Sequence, residues 1–522
     1  MKVQSGHCTS APAFVIGVAL FVAAIASGQD EPGDRPAVGR VVTLVNQYCG
    51  ACHAAPSPDI LPKRHWPALI RTMVGLRQER MGHTGISERQ MNDIIALYYG
   101  SSPDELPTLP YRETALAPSS FAMSDLGAKT RLPYITNVNA ARLMQSDAPQ
   151  LLVCDAEARK LLLLSAARGR WRETPVADVE VPVHTQIVDI DGDGDQDILV
   201  ADLGQFSPLD GPVGRVLLYR QGPRQRFERE LLLDKLGRVS DARAVDLDSD
   251  GDLDIAVGVF GRKDTGEVFW LENDGYGTAS GTFEKHVLLS LAGAVDVSPV
   301  DLNGDGLTDL AVLIAQEHEM IVAFVNRGGG VFERVVIARA PHPMYGSTSM
   351  TDVDLDQDGD LDLLFTNGDA FDTQTDPKPY HGVQWLENQG QMRFEFHDIG
   401  RFYGAATAVA GDIDGDGDLD VVAGSWVNYW NDSRRYAIVW HENDGKQTFL
   451  AHGIATRPAG VASLQLIDVN GDGMLDIVGG AIRMDLLMAR SGSNYMASRL
   501  FPPSDEATLH SRVFVLENHL RK

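Results

Sequence analysis

At 522 residues the chain is too long for a single hydrophobic core and must divide into domains. Its formal net charge is −27, with 72 acidic against 45 basic residues, which excludes a surface built to hold nucleic acid. Four cysteines in so long a chain exclude a disulfide framework.

Residues 1–28 open with Lys2, carry the apolar run Ala13–Ile25 and end in small residues around Ala26. That is the outline of a secretory signal. The run is short for a membrane span, and Cys8 precedes it, the wrong side for lipid attachment. The expectation is a periplasmic or secreted protein, held at a membrane only if this segment stays uncleaved. A polar linker, 29–39, follows.

Next comes Cys49-Gly-Ala-Cys52-His53. Two thiols three residues apart can add to the two vinyl groups of one haem, and the adjacent His can reach its iron. A bare Cys-x-x-Cys also serves as a redox dithiol or half of a zinc site. Cys154 stands alone downstream, so no second pair completes a zinc site. The expected cofactor is one covalent haem c per chain on Cys49, Cys52 and His53.

The flanks read as short helices. Val41–Tyr48 is apolar on one side and leads into the motif; Pro56, Pro58 and Pro62 then break the chain. Trp66–Leu76 places Trp66, Leu69, Ile70 and Met73 at helical spacing. Ser87 with Gln90 forms a capping box for Ser87–Tyr99. With its haem motif and closing helix, segment 40–103 resembles class I cytochrome c. The resemblance implies a Met sulfur as second axial ligand: Met73, with Met81 and His83 as alternatives. Met73 lies closer to the haem motif than the family's pattern has it. Residues 104–120, with Pro107, Pro110 and Pro118, read as a semi-rigid linker.

From there one nonapeptide frame organises the chain. It begins at Asp189, Asp246, Asp301, Asp354, Asp412 and Asp468, at spacings of 57, 55, 53, 58 and 56 residues. A period of this size marks a repeat architecture. Position 3 keeps a side-chain oxygen (Asp191, Asp248, Asn303, Asp356, Asp414, Asn470), and position 5 is always Asp (Asp193, Asp250, Asp305, Asp358, Asp416, Asp472). Position 6 is always Gly. Position 7 is Asp195, Asp252, Asp360 or Asp418 in four copies but Leu307 and Met474 in two, so it can offer only its carbonyl. Position 9 is Asp197, Asp254, Asp309, Asp362, Asp420 or Asp476. Oxygens at 1, 3, 5, 7 and 9 with a turn-permitting Gly at 6 match the start of a calcium loop. The loops hold 26 of the 72 acids, so the acidity is largely local to them. Up to six calcium ions are expected.

Each repeat also has an apolar stretch entering the loop, an apolar strand leaving it, a third strand such as Val268–Asn273, and a fourth beginning with an aromatic residue such as Phe283. Four short strands per repeat is the pattern of a β-propeller blade. Third and fourth strands each count to seven. The strand at Phe121 comes before the first blade and should complete the last one. The first blade lacks the Asp loop. These loops resemble the FG-GAP/VCBS repeats of integrin α-like propellers, which implies a seven-bladed propeller over 121–522. The fold class expected is multidomain: a small all-α haem domain followed by an all-β propeller.

Long connections after the second strands (202–214, 366–382, 424–436 and 481–511) carry Tyr380, His381, Trp426, Tyr429, Trp430, Arg434, Arg435 and Arg483. Long loops on a rigid scaffold often carry function. The functional expectation is an exported electron carrier whose propeller docks a redox partner protein or a small-molecule or carbohydrate ligand. A binding or adhesion propeller with an accessory haem domain is the alternative. No catalytic nucleophile–base pair is visible.

Overall fold

The computed structural model describes residues 35–51, 53–111, 120–143, 148–167, 170–206, 211–222, 226–262, 264–275, 282–371, 376–490, 498–502 and 507–520. The expected export signal, Cys52 and parts of the linker and long loops lie outside them. The chain forms two compact units: one runs to Pro107 and includes Ala340–Met344, the other comprises Thr108–Arg339 and Tyr345–Lys522. Among the described residues no helix is long and apolar enough to cross a membrane.

The first unit is helical. Helix α1 spans Arg35–Tyr48, α2 Trp66–Met81 and α3 Glu88–Ser101, with single 3-10 turns at Pro58–Ile60 and Lys63–His65. The start of α1 takes up the last residues of the expected polar linker, and α2 runs five residues past the expected Leu76. Gly82, left-handed at φ 75°, ends α2, its N–H donating to the Gln78 carbonyl. The expected capping box starts α3: Ser87 Oγ accepts from Gln90 N–H, and the Gln90 side chain accepts from Ser87 N–H. A small core of Val45, Leu61, Trp66, Ile70, Ile86, Ile94 and Tyr98 holds the unit. Its two polar tips are satisfied: Trp66 Nε1–H donates to the Pro58 carbonyl at 3.0 Å and Tyr98 O–H to the Pro56 carbonyl at 2.8 Å.

The second unit is a propeller of seven four-stranded antiparallel sheets. Blades one to six take their strands in chain order, within 135–178, 182–236, 239–289, 294–339, 347–401 and 405–455. Blade seven takes Val461–Ile467, Asp476–Ala481 and His510–Asn518, and its outer strand is Phe121–Thr130, from the beginning of the domain. The ring is thus closed as the strand count requires. In every blade the second strand is buried at all six positions, as in Asp254–Val259. Both of its faces meet neighbouring blades, so its sequence is a continuous apolar run rather than an alternating one. Ile255 and Val257 pack with Leu199 and Leu218 of blade two, whereas Ala256 packs with Leu310 and Val312 of blade four.

Candidate functional site

The six Asp loops join the inner to the second strand of blades two to seven. In each, the position-6 glycine is left-handed, with φ from 84° (Gly306) to 105° (Gly417), where a side chain would be strained. That turn folds the backbone N–H groups inward onto the carboxylates. In blade four, Asp301 Oδ1 accepts from Gly304 N–H at 2.8 Å and Oδ2 from Gly306 N–H at 2.8 Å, while Asp305 Oδ1 accepts from Leu307 N–H at 2.9 Å. Blades two, five and seven repeat the contact from the position-6 N–H to the first Asp. In three of the loops the carboxylates converge. Oxygens of Asp189, Asp191 and Asp193, of Asp246, Asp248 and Asp250, and of Asp354, Asp356 and Asp362 lie within 4.8 Å of one another. In blade two the Arg220 guanidinium reaches Asp191.

Position 9 does more than the sequence reading assigned to it. Asp254 is fully buried; its Oδ2 accepts from Leu247 N–H and its Oδ1 from Asn273 N–H, both at 2.8 Å. Asp309, Asp362, Asp420 and Asp476 do the same with Leu302 and Asn326, Leu355 and Asn388, Ile413 and Asn443, and Val469 and Asn518. This carboxylate therefore ties the loop to the third strand. Burial pushes Asp197, Asp254 and Asp362 up to about 6 and Asp420 to about 7. Asp418 rises to about 6 through desolvation and then the charges of Asp416, Asp414 and Asp412. Crowded carboxylates of this kind are the donor set a hard divalent cation takes.

The third-strand Asn was missed as a functional position, although it recurs in the sequence, after Glu at Asn273, Asn388, Asn443 and Asn518 and after Val325 at Asn326. Its side chain stitches one loop to the next. Asn326 Nδ2 donates to the Leu247 carbonyl of the preceding blade at 2.7 Å, Asn388 to Leu302 at 3.1 Å and Asn518 to Ile413 at 2.7 Å.

A polar belt on the inner strands was also missed. Asp241 lies 2.9 Å from His184 Nδ1, accepts from Arg243 Nε–H at 3.1 Å and accepts from Val297 N–H of the next blade at 2.9 Å. Burial raises the Asp241 carboxyl, but Arg243 and His184 outweigh it and hold it well below the ordinary range. Asp296 accepts from Met350 N–H at 2.8 Å and is pushed up to about 7, by burial first and then by the Asp241 charge.

Among the described residues, the apolar side chains of the long connections mostly pack rather than project. Trp430, Val427, Met484, Met488, Leu500 and Phe501 are buried in one cluster with Tyr134 and Ala370, and Trp426 and Tyr429 lean on it. Helix α4, Met484–Arg490, contributes to it, and Arg483 pairs with Asp485 at 2.6 Å. His381 is fully buried. Arg434 and Arg435 are engaged by the linker: their guanidinium carbons lie 3.7 and 4.4 Å from the Tyr111 ring centroid, and the Tyr403 hydroxyl oxygen accepts from Leu109 N–H at 2.8 Å. Of the expected linker, Thr108–Tyr111 thus belong to the propeller unit.

In the helical unit Cys49 is half-buried at the end of α1, where burial pushes its thiol up to about 11. His53 Nδ1 lies 2.9 Å from the Ala54 carbonyl. Met73 and Met81 are 43 % and 47 % exposed, and His83 is exposed.

The chain carries FG-GAP-like repeats. The FG-GAP-like repeat family matches residues 189–257, 246–312, 301–365 and 426–479, and three of these spans begin on the first Asp of a loop. The matches fall in the propeller and leave the helical unit outside them. No curated protein matches the chain. Among solved structures, the crystal structure of Saccharomyces cerevisiae Sqt1 is similar over 68 % of this chain and 95 % of that one, at 10 % identity and a TM-score of 0.41. A propeller of FG-GAP-like repeats is compatible with binding a protein or a smaller ligand.

Proposed function

We propose that this is an exported electron-transfer protein: a helical unit with one haem c, and a calcium-binding propeller that docks a redox partner or substrate. The observation that carries the reading is the setting of His53. With Nδ1–H donating to the Ala54 carbonyl, Nε2 keeps its lone pair free for iron, the usual orientation of a metal-ligating imidazole. Arg77 supports it. Among the described residues its buried Nε and Nη1 have no hydrogen-bond partner, although it lies near enough to Cys49 to lower that thiol against the effect of burial. Its guanidinium carbon lies 5.7 Å from the Tyr48 ring centroid, but buried N–H groups without an acceptor are costly, and a haem carboxylate is the kind of anion that would satisfy them. Haem supplies reversible one-electron chemistry; the chain supplies the thioether anchors, the imidazole and the electrostatic setting. Calcium on the Asp loops offsets their carboxylate repulsion and stiffens the scaffold that presents the docking surface.

The test is to produce the chain in cells that mature c-type cytochromes. A denaturing gel stained for haem peroxidase activity should light the band, and the pyridine haemochrome should give one haem per chain. Cys49→Ala with Cys52→Ala should abolish both. A colourless band in such cells overturns the reading.

A further inference from the structure

The third and outer strands of blades three and five present a second set of metal-ligating groups, with Glu272 and Glu387 close enough to Asp248 and Asp356 of the Asp loops to add to the rise that burial gives those carboxyls. In blade three Trp270 stands opposite His286 and Glu272 opposite Glu284. In blade five the same register sets Trp385 opposite His397 and Glu387 opposite Glu395. Cross-strand partners two residues apart lie on one face, so each blade gathers two carboxylates and an imidazole. Their ligand atoms lie within 4.8 Å of one another in both blades. His286 Nε2 is 2.5 Å from Glu272 Oε2, and His397 Nε2 is 2.6 Å from Glu387 Oε2.

We infer that blades three and five each carry a two-carboxylate, one-imidazole site for a zinc-class divalent cation. Three observations point there. The imidazoles are pre-aimed: each stacks on the Trp opposite it, with centroids 4.8 Å apart at 25° in blade three and 4.5 Å at 28° in blade five. Like charges directly opposite on adjacent strands destabilise a sheet, yet among the described residues no Lys or Arg pairs with any of the four glutamates; Glu395 accepts only an amide, Gln389 Nε2–H at 2.8 Å. The constellation also occurs twice at the same register, with a mixed nitrogen and oxygen donor set. Calcium takes oxygens alone, whereas imidazole with carboxylates suits zinc. Three protein ligands leave a further position for water or an added ligand. Blade six supplies a built-in contrast. His452 stacks on Trp440 at 4.9 Å and lies 2.6 Å from Glu442, but the exposed Leu450 stands where the second carboxylate would be.

The experiment is zinc uptake by the full chain in excess calcium, read by calorimetry and by metal analysis after dialysis. Wild type should hold two zinc equivalents that Glu284→Gln and Glu395→Gln each reduce by one. Both positions are exposed, so the fold is not at risk, and His286→Ala and His397→Ala should give the same losses. Leu450→Glu should add a third equivalent. Zinc held at Cys49 and Cys52 in haem-free chains would be unchanged by all of these variants. If the Glu284→Gln, Glu395→Gln double variant takes up as much zinc as wild type, or if excess calcium abolishes uptake, the groups are ion pairs alone and the proposal fails.

Discussion

The carboxylate that ends an Asp loop ties it to the third strand, and in the proposed calcium reading it also faces the ion; Asp254→Ala distinguishes the two. Asp254 is fully buried and accepts one backbone N–H on each oxygen, from Leu247 and from Asn273, at 2.8 Å. Truncation leaves two buried donors without acceptors. Each such orphan costs about 1–3 kcal/mol, so the loss is roughly 2–6 kcal/mol, whatever metal is present. Asp250→Ala is the control. Its exposed Oδ1 accepts from Asp252 N–H at 2.9 Å, and water can replace it. In chelator Asp250→Ala should stay within about 0.5 kcal/mol of wild type. In calcium it should lose the increment that binding to the folded state adds, about 2.7 kcal/mol at a hundredfold excess over Kd. Denaturant unfolding of wild type and both variants, with calcium and with chelator, supplies the comparison. Asp254→Ala should unfold early in both media and Asp250→Ala in calcium alone. If Asp254→Ala matches wild type in chelator, the carboxylate is a metal ligand only and the argument for a strand-to-loop tie is wrong.

Ring closure gives a second expectation. A chain lacking 121–130 leaves the edge of His510–Asn518 unpaired and uncovers the cluster around Leu126; it should aggregate on heating, and Leu126→Ala alone should cost about 2–5 kcal/mol by denaturant unfolding. Tyr111→Ala removes the ring on which Arg434 and Arg435 pack. These contacts are at the surface, so limited proteolysis near Tyr111 should speed up while the propeller's melting holds. Asp296 sets a pH dependence. Its carboxyl is raised to about 7 by burial and then by Asp241, against Arg243 and the Met350 N–H. The folded state therefore holds a proton that the unfolded chain releases near pH 4. The stability from this group is complete below that pH and is lost as pH rises to about 7. Asp296→Asn should flatten the pH dependence of melting between 4 and 7; an unchanged slope would show that Asp296 is ionised throughout.

By itself the sequence determined the parts of the protein that repeat or are local. Six Asp frames at a near-constant spacing, seven third strands and a stray first strand at Phe121 sufficed for the blade number and the closure, because a blade is a chain-local hairpin series and its period is written in order. The Ser87–Gln90 capping box and the left-handed position-6 glycines were legible for the same reason: the groups that decide them lie within a few residues. Only the tertiary structure decided what meets across strands and between blades. That Asp254 serves Asn273, that Asn326 reaches Leu247 of the preceding blade, that Asp241 gathers His184, Arg243 and Val297, and that Glu284 meets Glu272 and His286 all depend on strand register and on packing one sheet against the next. The long loops show the same limit. Their aromatic residues look like a binding surface in sequence, but apolar groups from several blades brought together at one end of a ring bury one another, and Trp430 and His381 go to the interior.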